Sequence, residues 1–116
     1  MGKLSTHILD TVHGGPAANV AIELYCMDPV PKLLLTTRTN ADGRTDAPLL
    51  KDDQVKRGRY RLLFHVGEHF RSKGVPLPDP PFVDVVPIDF GIAEDGGSYH
   101  VPLVCSPWTY STYRGS

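Results

Sequence analysis

The sequence has no long apolar run. Its uninterrupted apolar stretches are only a few residues long, far below the ~20 residues of a membrane-spanning helix. The opening residues Met1–Thr6 also lack the apolar segment of a signal peptide. We therefore expect a soluble, cytoplasmic chain that does not act at a membrane.

An excess of charge of either sign is also missing. Twelve Lys and Arg residues face 13 Asp and Glu residues, for a formal net charge of -1 at pH 7. The one basic cluster, Lys56–Arg61, follows Asp52 and Asp53 and contains no pattern of stacking aromatic residues. We interpret it as a solvated face, and nucleic acid is not an expected partner.

Cysteines are scarce and metal motifs are absent. Cys26 and Cys105 lie among apolar residues, form no CxxC pair, and suit a reducing compartment. There is no HExxH motif, no phosphate-binding glycine loop and no nucleophile elbow. We predict neither a metal site nor an organic cofactor.

Glycine and proline, in contrast, are abundant. Eleven of each among 116 residues leave little room for long helices, and this length fits a single domain over residues 1–116. Alternating apolar residues predict seven or eight short strands and a β-sandwich. The strands are expected near 4–9, 20–26, 33–39, 60–65, 82–92, 99–105 and 108–113, with a weak helical turn at 67–73 and a hairpin turn at Asp95–Gly97.

The alternation gives two histidines a shared property. His7 lies opposite Leu4, Thr6 and Ile8 in its strand, and His100 lies opposite the apolar residues of a later strand. Both imidazoles are therefore predicted to leave the sandwich core, either as solvated surface groups or across a groove or subunit contact. For His13, His65 and His69 we expect the solvated arrangement.

Arg44 follows the turn Asn40–Gly43, whose residues tolerate positive φ. It is either an ordinary loop charge or a fixed guanidinium that anchors a planar, carbonyl-rich ligand through paired donors. Residue pattern alone does not separate the two interpretations.

Three segments together carry a family resemblance. They are LSTHILDTVHGGPA at 4–17, TNADGRTDAPLL at 39–50 and YHVPLVCSPWTYSTYRGS at 99–116. In these segments the chain resembles the transthyretin-related family of 5-hydroxyisourate hydrolases, and its last residues YRGS separate these enzymes from the transthyretin hormone carriers.

The resemblance implies a fold and an activity. The fold is an all-β sandwich of two four-stranded antiparallel sheets with one short helix, assembled as a homotetramer with sites at a subunit interface. The activity is hydrolysis of the small-molecule substrate 5-hydroxyisourate, in urate degradation, to 2-oxo-4-hydroxy-4-carboxy-5-ureidoimidazoline.

The resemblance also implies site residues, at positions that this sequence matches. The catalytic positions fall on His7, Arg44 and His100. The terminal motif supplies the substrate-binding positions, which are Tyr113, Arg114, Gly115 and Ser116. No metal or cofactor is implied.

Two other functions stay open at this point. One is a transthyretin-like carrier that binds a small ligand without chemistry, against which the YRGS ending argues. The other is a histidine-lined metal-binding protein, which the missing Cys and His spacing disfavours.

Overall fold

Strands and turns follow the alternation of buried and exposed residues along the chain. The computed structural model describes residues 2–116, so that only Met1 of the predicted domain lies outside it. The described part contains nine strands, one short α-helix and one turn of 3₁₀-helix at Asp52–Gln54. The elements are β1 (Lys3–Asp10), β2 (Gly15–Pro16), β3 (Ala21–Cys26), β4 (Lys32–Arg38), β5 (Leu50–Lys51), β6 (Gly58–His65), α1 (Val66–Ser72), β7 (Val85–Ile92), β8 (Tyr99–Cys105) and β9 (Tyr110–Thr112).

The strands form two sheets. Sheet A has the order β2-β1-β8-β9, and β5 pairs with the same strand β1 as β2 does. Because β5 and β2 meet opposite ends of β1, and β9 pairs with β8 at the β2 end, sheet A is four strands wide at the β2 end and three at the β5 end. Sheet B has the order β4-β3-β6-β7. The predicted sandwich with one short helix is confirmed.

Two connections differ from the expectation. β1 and β8 pair in parallel, whereas every other strand pair is antiparallel. The turn Asp95–Gly97 is not a hairpin, since β7 belongs to sheet B and β8 to sheet A. Its glycines carry the chain from one sheet to the other, and local turn chemistry does not distinguish these two uses.

Apolar residues from the inner faces of both sheets fill the core. Leu4 and Ile8 of β1 are fully buried, as are inward-facing apolar residues of sheet B such as Leu24, Leu62 and Phe64. Burial of a Leu, Ile or Phe side chain stabilises the fold by about 1.5–3 kcal/mol. Sheet A therefore has one face in the core and one outer face.

A buried polar contact fastens α1 to the end of β1. Asp10 Oδ2 accepts hydrogen bonds from His69 Nε2 at 2.9 Å and His13 Nδ1 at 2.6 Å. The backbone amides of Val12 and His13 donate to its other oxygen. His69 is only 4% exposed, so the prediction that it is solvated was wrong. The sequence pattern did not reveal its acceptor, which lies 59 residues away.

These donors change the acidity of Asp10. Burial alone would raise its pKa, but the hydrogen bonds from His69, His13 and Val12 outweigh burial and hold the pKa below the usual range. The carboxylate thus remains charged and takes part in a network that spans a strand, a turn and a helix.

Replacing Asp10 by Ala should lower the free energy of unfolding by about 3 kcal/mol, because it leaves the buried His69 without its acceptor. Since the pKa of Asp10 is depressed, its contribution is present above its unfolded value of about 3.9 and is lost as the pH falls through the lower folded value. Urea unfolding at several pH values measures both effects. The His13→Ala control removes a 46% exposed side chain and should cost less than about 1 kcal/mol. Equal losses in the two variants would contradict this account.

Candidate active site

The pairing of β1 with β8 places two histidines on the outer face of sheet A. Ser5 lies opposite His100, and His7 lies opposite Pro102. His7 and His100 are half-buried, whereas their neighbours Thr6 and Val101 point into the core. The prediction that both imidazoles point away from the sandwich core is confirmed. They stand on adjacent strands, about 7 Å apart along the strand direction.

A tight loop brings Arg44 to the same strand. Asn40 Oδ1 accepts hydrogen bonds from the backbone amides of Asp42 and Arg44, and the Gly43 amide donates to the Asn40 carbonyl. The carbonyl of Gly43 in turn accepts from the Ile8 amide at 2.9 Å. The loop therefore docks on β1 beside His7, in the gap between β5 and β2.

Glycine is required at position 43 for two reasons. Its φ of 73° is in the left-handed region. A Cβ built there would lie 2.5 Å from the Ile8 carbonyl oxygen, far inside van der Waals contact. The close approach of this backbone to β1 carries Arg44 to the edge of sheet A, where its side chain is exposed.

Positive groups surround His100. Burial, the charge of Arg44 and the charge of His7 when protonated all lower the pKa of His100, and Lys3 adds a smaller effect in the same direction. A hydrogen bond to the backbone of Ser5 acts in the opposite sense. The net lowering keeps His100 neutral at neutral pH, which is the form that accepts a proton.

The terminal segment reaches the same place. The Gly115 amide donates to the His100 carbonyl at 2.8 Å, which makes a single bridge beyond the end of β9. Tyr113 is 61% exposed, and Ser116 follows Gly115 as another exposed residue. Gly115 is thus brought directly against His100.

Arg114 points elsewhere. Its guanidinium lies 4.4 Å from the centre of the Tyr99 ring and donates to the Ser98 carbonyl at 3.3 Å. Tyr99 belongs to the buried face of β8. A cavity of about 230 Å³ next to these side chains is lined by residues of β7, β8 and the terminal segment. In the single chain, therefore, Arg114 anchors the segment from the side away from His7.

Ser5 belongs to this site but was not among the predicted site residues. Its hydroxyl oxygen lies 2.8 Å from His100 Nδ1. The alternation already placed Ser5 on the same face as His7, so its orientation was visible in the sequence. The missing information was the register of β1 against β8, which only the folded chain provides.

The other three histidines lie outside the site. His65 Nε2 contacts Glu23 Oε2 at 2.6 Å on the outer face of sheet B, and His13 and His69 share Asp10. Across residues 2–116, His, Cys, Asp and Glu side chains form no group of three or more that could hold a metal ion. In the same part of the chain, no helix is long and apolar enough to cross a membrane.

Several known proteins are similar to this chain in sequence and in fold. The chain is 51% identical over 117 aligned positions to a 5-hydroxyisourate hydrolase of Ralstonia nicotianae, with 100% of both chains covered. Among solved structures, an (S)-allantoin synthase superposes with a TM-score of 0.94 and 43% identity over 99% of this chain, which spans only 44% of that protein. Sea bream transthyretin in complex with thyroxine superposes with a TM-score of 0.84 and 28% identity, covering 97% of this chain and 94% of that one.

A family model extends the match to nearly every residue. The model of the HIUase/Transthyretin family aligns with residues 4–115, which include all of β1 but its first residue, the Arg44 loop, β8 and all but the last residue of the terminal segment. The chain therefore belongs to the HIUase/Transthyretin family.

Proposed function

We propose that His7, Arg44 and His100 form the catalytic centre in which this chain hydrolyses 5-hydroxyisourate to 2-oxo-4-hydroxy-4-carboxy-5-ureidoimidazoline, a step of urate degradation. The observation that carries the proposal is the convergence of these three side chains on the outer face of sheet A. The Ralstonia nicotianae relative, which matches the whole chain, bears the name of this activity.

The reaction opens a lactam-like ring. A water oxygen forms a bond to the ring carbonyl carbon, the C–N bond breaks, and the leaving nitrogen takes up a proton. The enzyme must therefore deprotonate the water, stabilise the developing oxyanion and return the proton to nitrogen. A neutral imidazole and a fixed guanidinium together perform these tasks.

His100 suits the proton-accepting role, because its lowered pKa keeps it neutral at neutral pH. His7, on the neighbouring strand, orients the water between the two imidazoles. Arg44 offers several N–H donors in a planar fork, which fits a substrate rich in carbonyl groups and the negative charge that forms on the attacked oxygen.

The terminal segment completes the substrate pocket in this proposal. Tyr113 and Ser116 contribute exposed side chains, and Gly115 contributes its backbone, which is hydrogen-bonded to His100. Arg114 holds the segment in place through Tyr99 and Ser98. All four residues of the YRGS motif thus act on substrate binding, two of them directly through side chains.

We also propose a homotetramer with the sites at a subunit interface. The outer face of sheet A is apolar next to the site, where Leu9 pairs with Val104 and both are half-buried, and Pro102 lies beside His7. In a single chain His7, Arg44 and His100 lie on an open sheet surface, which does not exclude water. A second subunit facing this surface would enclose them.

A cytoplasmic location fits the thiols. Cys26 and Cys105 are both free, and burial raises the pKa of Cys105 to about 12. Free cysteines are typical of proteins in reducing compartments.

Replacing His7 or His100 by Ala should lower the rate by about 10²- to 10⁴-fold, the usual contribution of a positioned acid or base. The measurement is the ultraviolet decay of freshly generated 5-hydroxyisourate, corrected for the spontaneous rate. His65→Ala is the matched control, since His65 lies on the other sheet and contacts Glu23. A loss of the same size in all three variants would indicate unfolding instead of chemistry.

Substitutions of Arg44 should separate its charge from its geometry. Arg44→Lys keeps the charge but not the paired donors, so kcat/KM should fall at least about 10-fold. The pH at which activity is lost on acidification, the acidic limb of the pH profile, should stay in place because the charge beside His100 is kept. Arg44→Gln also removes the charge that lowers the pKa of His100. The pKa of His100 should therefore rise in this variant, and the loss of activity at low pH should begin at a higher pH than in the unsubstituted chain. An acidic limb that stays in place or moves to lower pH in Arg44→Gln would remove His100 from the role of base.

The purified chain should have a solution mass near four times 12.7 kDa. Val104→Glu puts a charge on the apolar part of the outer face of sheet A and should reduce both mass and activity. Leu33→Glu, at a 47% exposed position in sheet B, should change neither. Light scattering and turnover assays of the three proteins test the proposal, and a monomer with full activity would contradict it.

A further inference from the structure

The contact between Ser5 and His100 joins two strands that are 95 residues apart in sequence. Ser5 lies directly opposite His100 in the parallel pairing, and its Oγ is 2.8 Å from Nδ1 of the ring. The backbone of both residues is held by the ladder between β1 and β8. The Ser5 hydroxyl therefore contacts Nδ1 of the imidazole specifically.

Gly115 supports the ring at another edge. A Cβ at position 115 would lie 2.5 Å from His100 Cδ2 and 3.3 Å from Pro102 Cγ. Only a residue without a side chain allows the ring to lie this close to the terminal segment. With Nδ1 next to Ser5 and Cδ2 next to Gly115, Nε2 is the ring nitrogen for which the described residues provide no hydrogen-bond partner.

The contact with Ser5 is linked to the position of the proton on the neutral His100 ring. Burial, Arg44 and His7 lower the pKa of His100, whereas a hydrogen bond to the Ser5 backbone raises it. A neutral imidazole that accepts a proton at Nε2 carries its own N–H at Nδ1. The Ser5 hydroxyl, which both donates and accepts, is compatible with the same N–H. In a site where His100 is the base, Ser5 Oγ, 2.8 Å from Nδ1, is therefore the acceptor for that N–H.

We propose that Ser5 is a positioning residue that holds His100 in the Nδ1–H tautomer, so that the lone pair of Nε2 faces the substrate water. The tautomer of a histidine is set by the partner of its other nitrogen. This inference rests on the proposed function, since it specifies how His100 of that site accepts the proton.

The charged groups around the ring do not replace Ser5 in this role. Lys3 and His7 of β1 and Arg44 of the loop act on His100 as nearby charges. From β8 and the terminal segment, the immediate neighbours of the ring are Pro102 and Gly115, neither of which titrates. Within this set, Ser5 is the hydrogen-bond partner of Nδ1.

The first measurement reads the tautomer without substrate. Nitrogen-15 NMR of histidine-labelled protein distinguishes a protonated from an unprotonated ring nitrogen, and His100→Asn identifies the signal. We expect His100 to be protonated at Nδ1 in the unsubstituted chain and in Ser5→Thr, which keeps the hydroxyl. In Ser5→Ala the population with Nε2–H should increase. An Nε2–H tautomer in the unsubstituted chain, or an unchanged tautomer in folded Ser5→Ala, would overturn the proposal.

The second measurement reads turnover. Ser5→Ala should lower kcat by about 10- to 100-fold, the usual effect of removing a group that orients a functional histidine, with KM within about 2-fold. Ser5→Thr should restore most of kcat. Thr36→Ala removes an exposed hydroxyl from β4 on the other sheet; it is the matched control and should leave kcat unchanged. Equal kcat in Ser5→Ala and Thr36→Ala would overturn the proposal.

The two measurements separate this inference from the proposed function. If the unsubstituted chain does not hydrolyse 5-hydroxyisourate, the function fails whatever the tautomer is. If it does, and Ser5→Ala affects neither tautomer nor kcat, only the role of Ser5 fails.

Discussion

The site depends on the parallel pairing of β1 and β8. Seven consecutive residue pairs, from Leu4 with Tyr99 to Asp10 with Cys105, lock the two strands in one register. A shift by one residue would turn one set of side chains to the opposite face of the sheet. A shift by two would keep the faces but separate Ser5 from His100. The buried residues of both strands hold this register, so the core determines the geometry of the outer face.

Everything else at the site is attached to these two strands. The Arg44 loop docks on the Ile8 amide through Gly43, and the terminal segment docks on the His100 carbonyl through Gly115. Both contacts use glycine for close backbone approach, since an added Cβ would lie 2.5 Å from a neighbouring heavy atom in each case. A rigid pair of strands thus positions two otherwise irregular segments, which is the usual way in which loops carry function.

The sequence was informative where its signals are local. Alternation placed His7 and His100 on the outer face because the faces of a strand repeat every two residues. The turn residues Asn40 to Gly43 likewise placed Arg44 in a loop. Information was missing where contacts are distant: the partner of His69, the sheet change after β7 and the pairing of Ser5 with His100 all join residues that sequence spacing does not connect. The family resemblance supplied the activity, which the residue pattern alone did not reach.

The electrostatic surroundings of the histidines separate structural from functional roles. His13 and His69 contact Asp10, and His65 contacts Glu23. In each of these contacts the carboxylate binds an imidazole and the pair links two parts of the chain. His100, in contrast, has a hydroxyl and positive groups as its neighbours. A carboxylate there would favour the imidazolium and remove the free base at neutral pH. Burial and the neighbouring cations lower the pKa of His100 together, and in the proposed mechanism Arg44 combines this effect with donors for the substrate. In the proposed mechanism, proton transfer and substrate binding therefore both depend in part on the positive charge of Arg44.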